Sequence, residues 1–118
     1  MRANELKGVL LDGGLDSYTS IYSDVDKQAK RLVKAIDSFT ELYGNERDIY
    51  IFSVPGRSEI SGNHTDHNSG CVLAGAIDKD IIAIAAKNDD EIIRFHSEGY
   101  PEDTVSLIDT ISKDKFEK

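Results

Sequence analysis

The sequence predicts an α+β fold, because one segment has the hydrophobic period of a helix and the later segments have the composition of strands. Between Val25 and Tyr43, apolar residues recur every three or four positions and charged residues take the intervening ones. Short apolar runs then follow: 49–54, 71–77, 81–86 and 92–96. We therefore expect one long amphipathic helix and an antiparallel-rich sheet.

Size and charge exclude several functions. The chain has 118 residues, which suits one ordinary domain, and its formal net charge of -8 argues against partners that require a basic surface, namely nucleic acid and membrane lipid. Its apolar runs are far shorter than the ~20 residues that cross a bilayer, and the N-terminus lacks the apolar stretch of a signal peptide. We therefore expect a cytoplasmic protein with no membrane partner and no nucleic-acid partner.

The predicted helix has sequence signals at both ends. Ser23 or Asp24 can cap its N-terminus, and Gly44 stands where a left-handed residue commonly ends a helix. The preceding residues, 1–22, show no clean period. They are expected to be irregular or weakly helical, with a turn at residues 12–14.

Two of the apolar runs are expected to pair with each other. Residues 81–86 and 92–96 are joined by five polar residues, which is the pattern of an antiparallel hairpin with a short loop. Pro101 then interrupts the chain, and residues 105–107 could form one more strand.

A polar segment, VPGRSEISGNHTDHNSG at residues 54–70, follows the run 49–54, which is expected to stop at Pro55-Gly56. Its glycines allow sharp bends, and its carboxylate, carboxamide, imidazole and guanidinium groups can all bond a polar ligand. Three interpretations stay open on the residues alone. The segment could be a solvated turn, a site for a polyhydroxylated ligand, or a metal site. The metal ligands would be His64, Asp66 and His67, with His96 as the one distant candidate.

Residues 54–77 resemble the galactose-binding signature of the galactokinases, members of the GHMP small-molecule kinase superfamily. That signature reads Gly-Arg-x-Asn-aliphatic-Ile-Gly-Glu/Asp-His-x-Asp-Tyr. The matching positions in and around it are Pro55, Gly56, Arg57, Ile60, Gly62, His64, Asp66, Asn68, Gly70, Val72 and Leu73. The resemblance implies the N-terminal portion of a GHMP-kinase (ribosomal protein S5 domain 2-like) fold. Residues 1–118 would form a single partial domain with its signature loop at 54–77.

The resemblance also implies roles for individual residues. Arg57 would act in catalysis near the transferred phosphoryl group, and Asn63, His64 and Asp66 would bind hydroxyls of the sugar substrate. These roles suit the chemistry, since a fixed cation stabilises developing phosphoryl charge and polar side chains bond vicinal hydroxyls. ATP and Mg²⁺ would serve the full-length parent enzyme. No cofactor or metal is expected for this chain alone, and its partner would be a small-molecule sugar.

Four positions depart from the signature: Glu59 replaces Asn, Ser61 replaces Ile, Asn63 replaces the acid, and His67 replaces Tyr. Asn63 matters most, because an ionised acid only accepts hydrogen bonds whereas a carboxamide also donates and carries no charge. The substrate implied is therefore galactose or a related hexose. Ser61 is expected to reflect packing, since side chains alternate faces along a strand.

Two catalytic features of the kinase superfamily are not visible in this sequence: the Gly/Ser-rich phosphate loop and the later aspartate that serves as base. The adjacent Gly13-Gly14 lacks the spacing of a phosphate loop. The chain is therefore expected to be the N-terminal fragment of a galactokinase-type kinase. The full-length kinase would phosphorylate galactose or a related hexose at C1, and this chain alone would be inactive. The alternative is a non-catalytic sugar-binding or regulatory module that keeps the fold.

Overall fold

The structure, a computed structural model, describes residues 1–62 and 69–107 and contains two compact units, which divide at Lys87. The first unit contains helices α1 and α2 and strands β1 and β2, and the second contains strands β3 and β4. Their bounds are α1 Ala3–Leu11, α2 Val25–Tyr43, β1 Ile49–Ser61, β2 Leu73–Ala86, β3 Ile92–Phe95 and β4 Asp103–Ser106. The chain is therefore α+β with antiparallel sheets, as the sequence predicts.

Helix α2 is the predicted amphipathic helix. The Asp24 carboxylate caps its N-terminus by accepting a hydrogen bond of 2.9 Å from the Lys27 amide, and Gly44 ends it with φ of 79°. Leu32 and Ile36 on its apolar face are buried in the core of the first unit. Both predicted ends of the helix are thus confirmed.

Helix α1 corrects the prediction of an irregular or weakly helical start. Ala3 and Leu10 are buried in the same core as α2, and Lys7 forms an ion pair with Asp37 of that helix. A short helix is marginal alone, so burial of its apolar side chains stabilises α1 where the sequence period is weak. The predicted turn at residues 12–14 is present and places Gly13 at φ of 83°.

Strands β1 and β2 form a long antiparallel ribbon that runs from the pair Ile49↔Ala86 to the pair Ser61↔Leu73. One face packs on the helices and is called the inner face; its apolar residues are Ile49, Ile51, Ile82, Ile84 and Ala86. The opposite face, called the outer face, carries Tyr50, Phe52, Val54 and Ile81, whose exposed fractions range from 50% to 78%. Both faces of this ribbon are therefore apolar, but only the inner face is covered by described residues of the first unit.

Two strand predictions are wrong. β1 does not stop at Pro55-Gly56 but continues to Ser61, because a local irregularity in the pairing accommodates these two residues. Residues 81–86 do not form a hairpin with 92–96 either. They are the C-terminal half of β2 and pair with the start of β1, whose inner face is already buried against the helices.

The second unit contains its own antiparallel pair. β3 pairs with β4 from Ile92↔Ser106 to Phe95↔Asp103. A strand thus follows Pro101 as predicted, but it covers 103–106 and ends before Leu107. Across residues 1–62 and 69–107, neither helix is long and apolar enough to cross a membrane.

Candidate functional site

The β1–β2 ribbon contains the first eight residues of the polar segment 54–70, because β1 continues to Ser61, and it flanks the remainder. Its last pair, Ser61↔Leu73, marks the two points between which residues 62–72 connect the strands. The residues predicted to bind the sugar lie outside the described residues; they are Asn63, His64 and Asp66, and His67 lies outside as well. Their roles stay predictions, and the structure describes the strands on either side of them.

Arg57 lies within β1, where it is paired with Ala76 and exposed to solvent. Within residues 1–62 and 69–107, no carboxylate forms an ion pair with its guanidinium. A guanidinium keeps its charge at any physiological pH and can bond two oxygens of a phosphoryl group at once. The side chain that the sequence assigns to catalysis is therefore accessible to an anionic ligand.

A pairing irregularity lies directly before Arg57. The pair Pro55↔Asp80 is followed by Arg57↔Ala76, so Gly56 on β1 faces residues 77–79 on β2. A Cβ on Gly56 would lie 3.2 Å from Ile77 Cδ1 and 3.3 Å from the Lys79 carbonyl oxygen, which is tighter than ordinary contact. Irregularities of this kind bend a strand and redirect the side chains that follow. The Gly-Arg dipeptide of the signature thus has a structural reason here.

Gly62 has an even stronger steric requirement. Its φ is 94°, and a Cβ at this position would lie 2.6 Å from the carbonyl oxygen of Cys71 and 2.9 Å from Val72 Cα. Any side chain would collide with backbone atoms, which cannot move away as a flexible side chain can. Glycine is therefore needed at residue 62, where β1 leads into the segment that contains the predicted sugar-binding residues. The exposed Cys71 lies at the other end of that segment.

A hydrogen-bonded group that the sequence reasoning missed lies on the inner face, next to this irregularity. Tyr22 donates to Ser53 Oγ at 3.1 Å, and Ser53 Oγ donates to Asp80 Oδ2 at 2.7 Å. Arg31 of α2 forms an ion pair with the Asp80 carboxylate and donates to the Asp80 carbonyl oxygen at 2.9 Å. We call these four residues the Asp80 network. Asp80 belongs to the polar trio Asp78-Lys79-Asp80 between two apolar runs, so the sequence carried no signal that pointed to these partners.

The Asp80 carboxylate is held in its charged form. The hydrogen bond from Ser53 lowers the pKa of Asp80 most, and Arg31 lowers the pKa further through a hydrogen bond and its charge, whereas burial opposes both effects. The Asp80 side chain is only 15% exposed. Its negative charge is thus matched by Arg31, whose own side chain is partly exposed to solvent.

The metal interpretation gains no support from the described part of the chain. His64, Asp66 and His67 lie outside it, and residues 1–62 and 69–107 hold no cluster of three or more metal-ligating side chains. Asp80, the register partner of Pro55 beside the irregularity, is engaged by Ser53 and Arg31.

Comparison with known proteins shows what the ribbon is similar to. The galactokinase galactose-binding signature matches residues 37–87, which include the end of α2 and all of β1 and β2. The resemblance to the galactokinase signature that the sequence shows is therefore confirmed.

Several curated galactokinases are similar to this chain. The galactokinase of Streptococcus mutans is 42% identical over 65 residues, or 55% of this chain and 16% of that protein. The galactokinase of Dictyostelium discoideum is 29% identical over 85 residues, or 70% of this chain and 17% of that protein. The galactokinase of Candida parapsilosis is 30% identical over 99 residues, or 81% of this chain and 20% of that protein. The match thus spans about a fifth of each relative or less. No solved structure matches the chain.

Proposed function

We propose that this chain is the N-terminal, sugar-binding part of a galactokinase-type kinase that phosphorylates galactose or a related hexose at C1. The observation that carries the proposal is the signature over residues 37–87, with its arginine exposed on the strand that leads to the predicted sugar ligands. In this mechanism Arg57 stabilises the negative charge that develops on the transferred phosphoryl group. His64 and Asp66 bond sugar hydroxyls, and Asn63 bonds a hydroxyl or a substituent in its place.

The apolar outer face of the ribbon supports the view that this region is part of a larger protein. Phe52 is 55% exposed and Ile81 is 78% exposed, and they lie on the same face as Tyr50 and Val54. Contiguous apolar patches of this kind usually mark a surface that another element covers. Because the related galactokinases are several times longer than their match to this chain, the remainder of the kinase chain is the proposed cover.

The nucleotide belongs to the proposed full-length enzyme. ATP with Mg²⁺ would supply the phosphoryl group and neutralise part of its charge. The described residues include no Gly-rich phosphate loop at a helix N-terminus and no carboxylate cluster for a metal ion, so we assign no residue of this chain to either group. The chain's own contribution would be to hold the sugar and to present the Arg57 cation. We propose a cytoplasmic location on the strength of the galactokinase relatives.

The experiment that tests this function compares wild type with Arg57→Lys in the full-length protein, using ADP release with galactose as substrate. Lysine keeps the positive charge but lacks the planar guanidinium group that can bond two phosphoryl oxygens at once. The kcat should therefore fall about 10²-fold while the galactose KM changes little. Arg47→Lys is the matched control, because Arg47 is an exposed arginine outside the signature strands, and its kcat should equal that of wild type. A full-length wild-type protein that binds galactose without phosphorylating it would instead establish the non-catalytic module.

A further inference from the structure

The Asp80 network lies immediately before the irregularity from which Arg57 extends. Asp80 is the register partner of Pro55, and Arg57 is the next paired residue of β1. Ser53, two residues before Pro55 on the same inner face, donates directly to the Asp80 carboxylate. The network therefore joins the two strands at the last regular pair before β1 changes register.

Regular backbone pairing of β1 with β2 is interrupted at this position. Directly after the pair Pro55↔Asp80, Gly56 faces residues 77–79. Asp80 is held instead by Ser53 and by two contacts from Arg31, one to the carboxylate and one to the carbonyl oxygen. Hydrogen bonds to a charged group are about twice as strong as neutral ones.

We propose that Asp80 is a positioning residue for Arg57. By tying β2 both to β1 and to helix α2 just before the irregularity, Asp80 fixes the backbone that carries the guanidinium. This inference rests on the proposed function, because it assumes that Arg57 acts on the transferred phosphoryl group. A displacement of a catalytic group by about 1 Å can lower the reaction rate about 10²-fold. Loss of the Asp80 contacts is therefore expected to lower kcat.

The test measures kcat and the galactose KM of the full-length protein with Asp80→Ala, Asp80→Asn and Ser53→Ala. Asp80→Ala should lower kcat about tenfold at nearly unchanged KM, because sugar binding is left to other residues. Asp80→Asn keeps its carbonyl oxygen as an acceptor for Arg31 and places an amide group beside Ser53 Oγ, which can accept from it, so this variant should restore most of the lost kcat. Ser53→Ala removes the hydrogen bond to Asp80 and the one from Tyr22, and it covers the case in which Asp80→Ala does not fold; its kcat should fall severalfold. The matched control is Asp89→Ala, which removes one exposed carboxylate elsewhere.

The outcomes separate this inference from the proposed function. If wild type is active and Asp80→Ala and Ser53→Ala keep the wild-type kcat, the inference is overturned and the function stands. If wild type has no kinase activity, the proposed function fails, and amide hydrogen exchange of the 118-residue chain decides whether the tie exists. Faster exchange at Arg57 and Ala76 in Asp80→Ala, but not in Asp89→Ala, supports the tie, and unchanged exchange there overturns it.

Discussion

Gly56 of β1 lies against the side chain of Ile77 on β2, so closely that a Cβ on residue 56 would stand 3.2 Å from two of its carbon atoms. The Gly-Arg step of the signature is therefore a packing contact as well as a sequence motif. The same ribbon offers a comparison, because a Cβ on Gly75 of β2 would meet nothing within 4 Å.

Gly56→Ala should lower the free energy of unfolding by about 1 to 2 kcal/mol, since the extra methyl group forces Ile77 or the β2 backbone to shift. Gly75→Ala should leave it unchanged or raise it by a few tenths of a kcal/mol, because alanine restricts the unfolded chain and finds open space in the folded one. Urea denaturation of the 118-residue chain measures both. Equal effects of the two substitutions would show that the contact with Ile77 has no energetic importance.

The Asp80 network predicts a specific dependence of stability on pH. Because the folded-state pKa of Asp80 is lowered, the unfolded state binds more protons in acid, and stability should rise with pH. The contribution is complete above the unfolded carboxylate pKa of about 3.9 and is lost as the pH falls through the lower folded-state pKa.

The measurement compares the free energy of unfolding of wild type and Asp80→Asn at about pH 6 and about pH 3, since the asparagine cannot titrate. Wild type should be more stable at the higher pH, and the difference between the two proteins should shrink at the lower pH. Asp89→Asn serves as the control and should follow wild type. A difference of the same size at both pH values would contradict the prediction.

The isolated chain is predicted to have no kinase activity. The 118-residue chain contains no visible phosphate loop and no visible catalytic base, and positioning and charge stabilisation of the γ-phosphate supply nearly all catalysis in phosphoryl transfer. A coupled ADP-release assay with galactose and other hexoses should give the rate of the buffer alone. Sustained turnover by this chain would refute the proposal that it is one part of a larger kinase.

The apolar outer face predicts self-association of the isolated chain. Phe52→Ser should reduce the concentration-dependent association seen by sedimentation velocity, whereas Leu42→Ser, at a similarly exposed position on α2, should not. In the full-length protein, Phe52→Ser should lower the free energy of unfolding by about 3 kcal/mol, because the side chain would be buried under the rest of the kinase. An unchanged stability there would mean that the outer face faces solvent in the whole enzyme.

The presence of Asn63 in place of the family's acid predicts that the full-length enzyme tolerates a sugar with a carboxylate at C6. The family's acid, if it faces the C6 end of the sugar, would repel a carboxylate at C6, whereas a carboxamide would not. Asn63→Asp in the full-length protein should therefore increase the preference for galactose over galacturonate by about 1 to 3 kcal/mol, measured as the ratio of the two kcat/KM values. If the ratio is the same with either residue, Asn63 accepts an ordinary hydroxyl through its carbonyl oxygen and substrate choice is unaffected.

Helix α2 could be predicted with both ends because its period, its cap at Asp24 and its final Gly44 are local signals. Helix α1 could not, because its stability comes from burial of Ala3 and Leu10 against distant residues. The pairing of residues 81–86 was missed for a related reason. A nearby partner costs less loop entropy, which favours a hairpin with 92–96, but the long register of β1 with β2 outweighs that cost.

Some residues of the candidate site could also be predicted from the sequence, and others could not. Arg57 and the glycines at 56 and 62 follow from the signature, and the structure supplies the steric reason for both glycines. Asp80 was overlooked because its partners, Ser53 and Arg31, are far away in sequence and meet it only when the helix packs on the ribbon. Long-range polar contacts of this kind leave no periodic trace along the chain.

Cys71 closes the polar segment opposite Gly62, and it is the only cysteine of the chain. Because its side chain is exposed, a thiol-reactive fluorophore would attach at this one place, five residues after Asp66 in the sequence. The protein thus contains a built-in reporter position. A change in the label's emission, or slower labelling when sugar is added, would register occupancy directly, without nucleotide and without turnover.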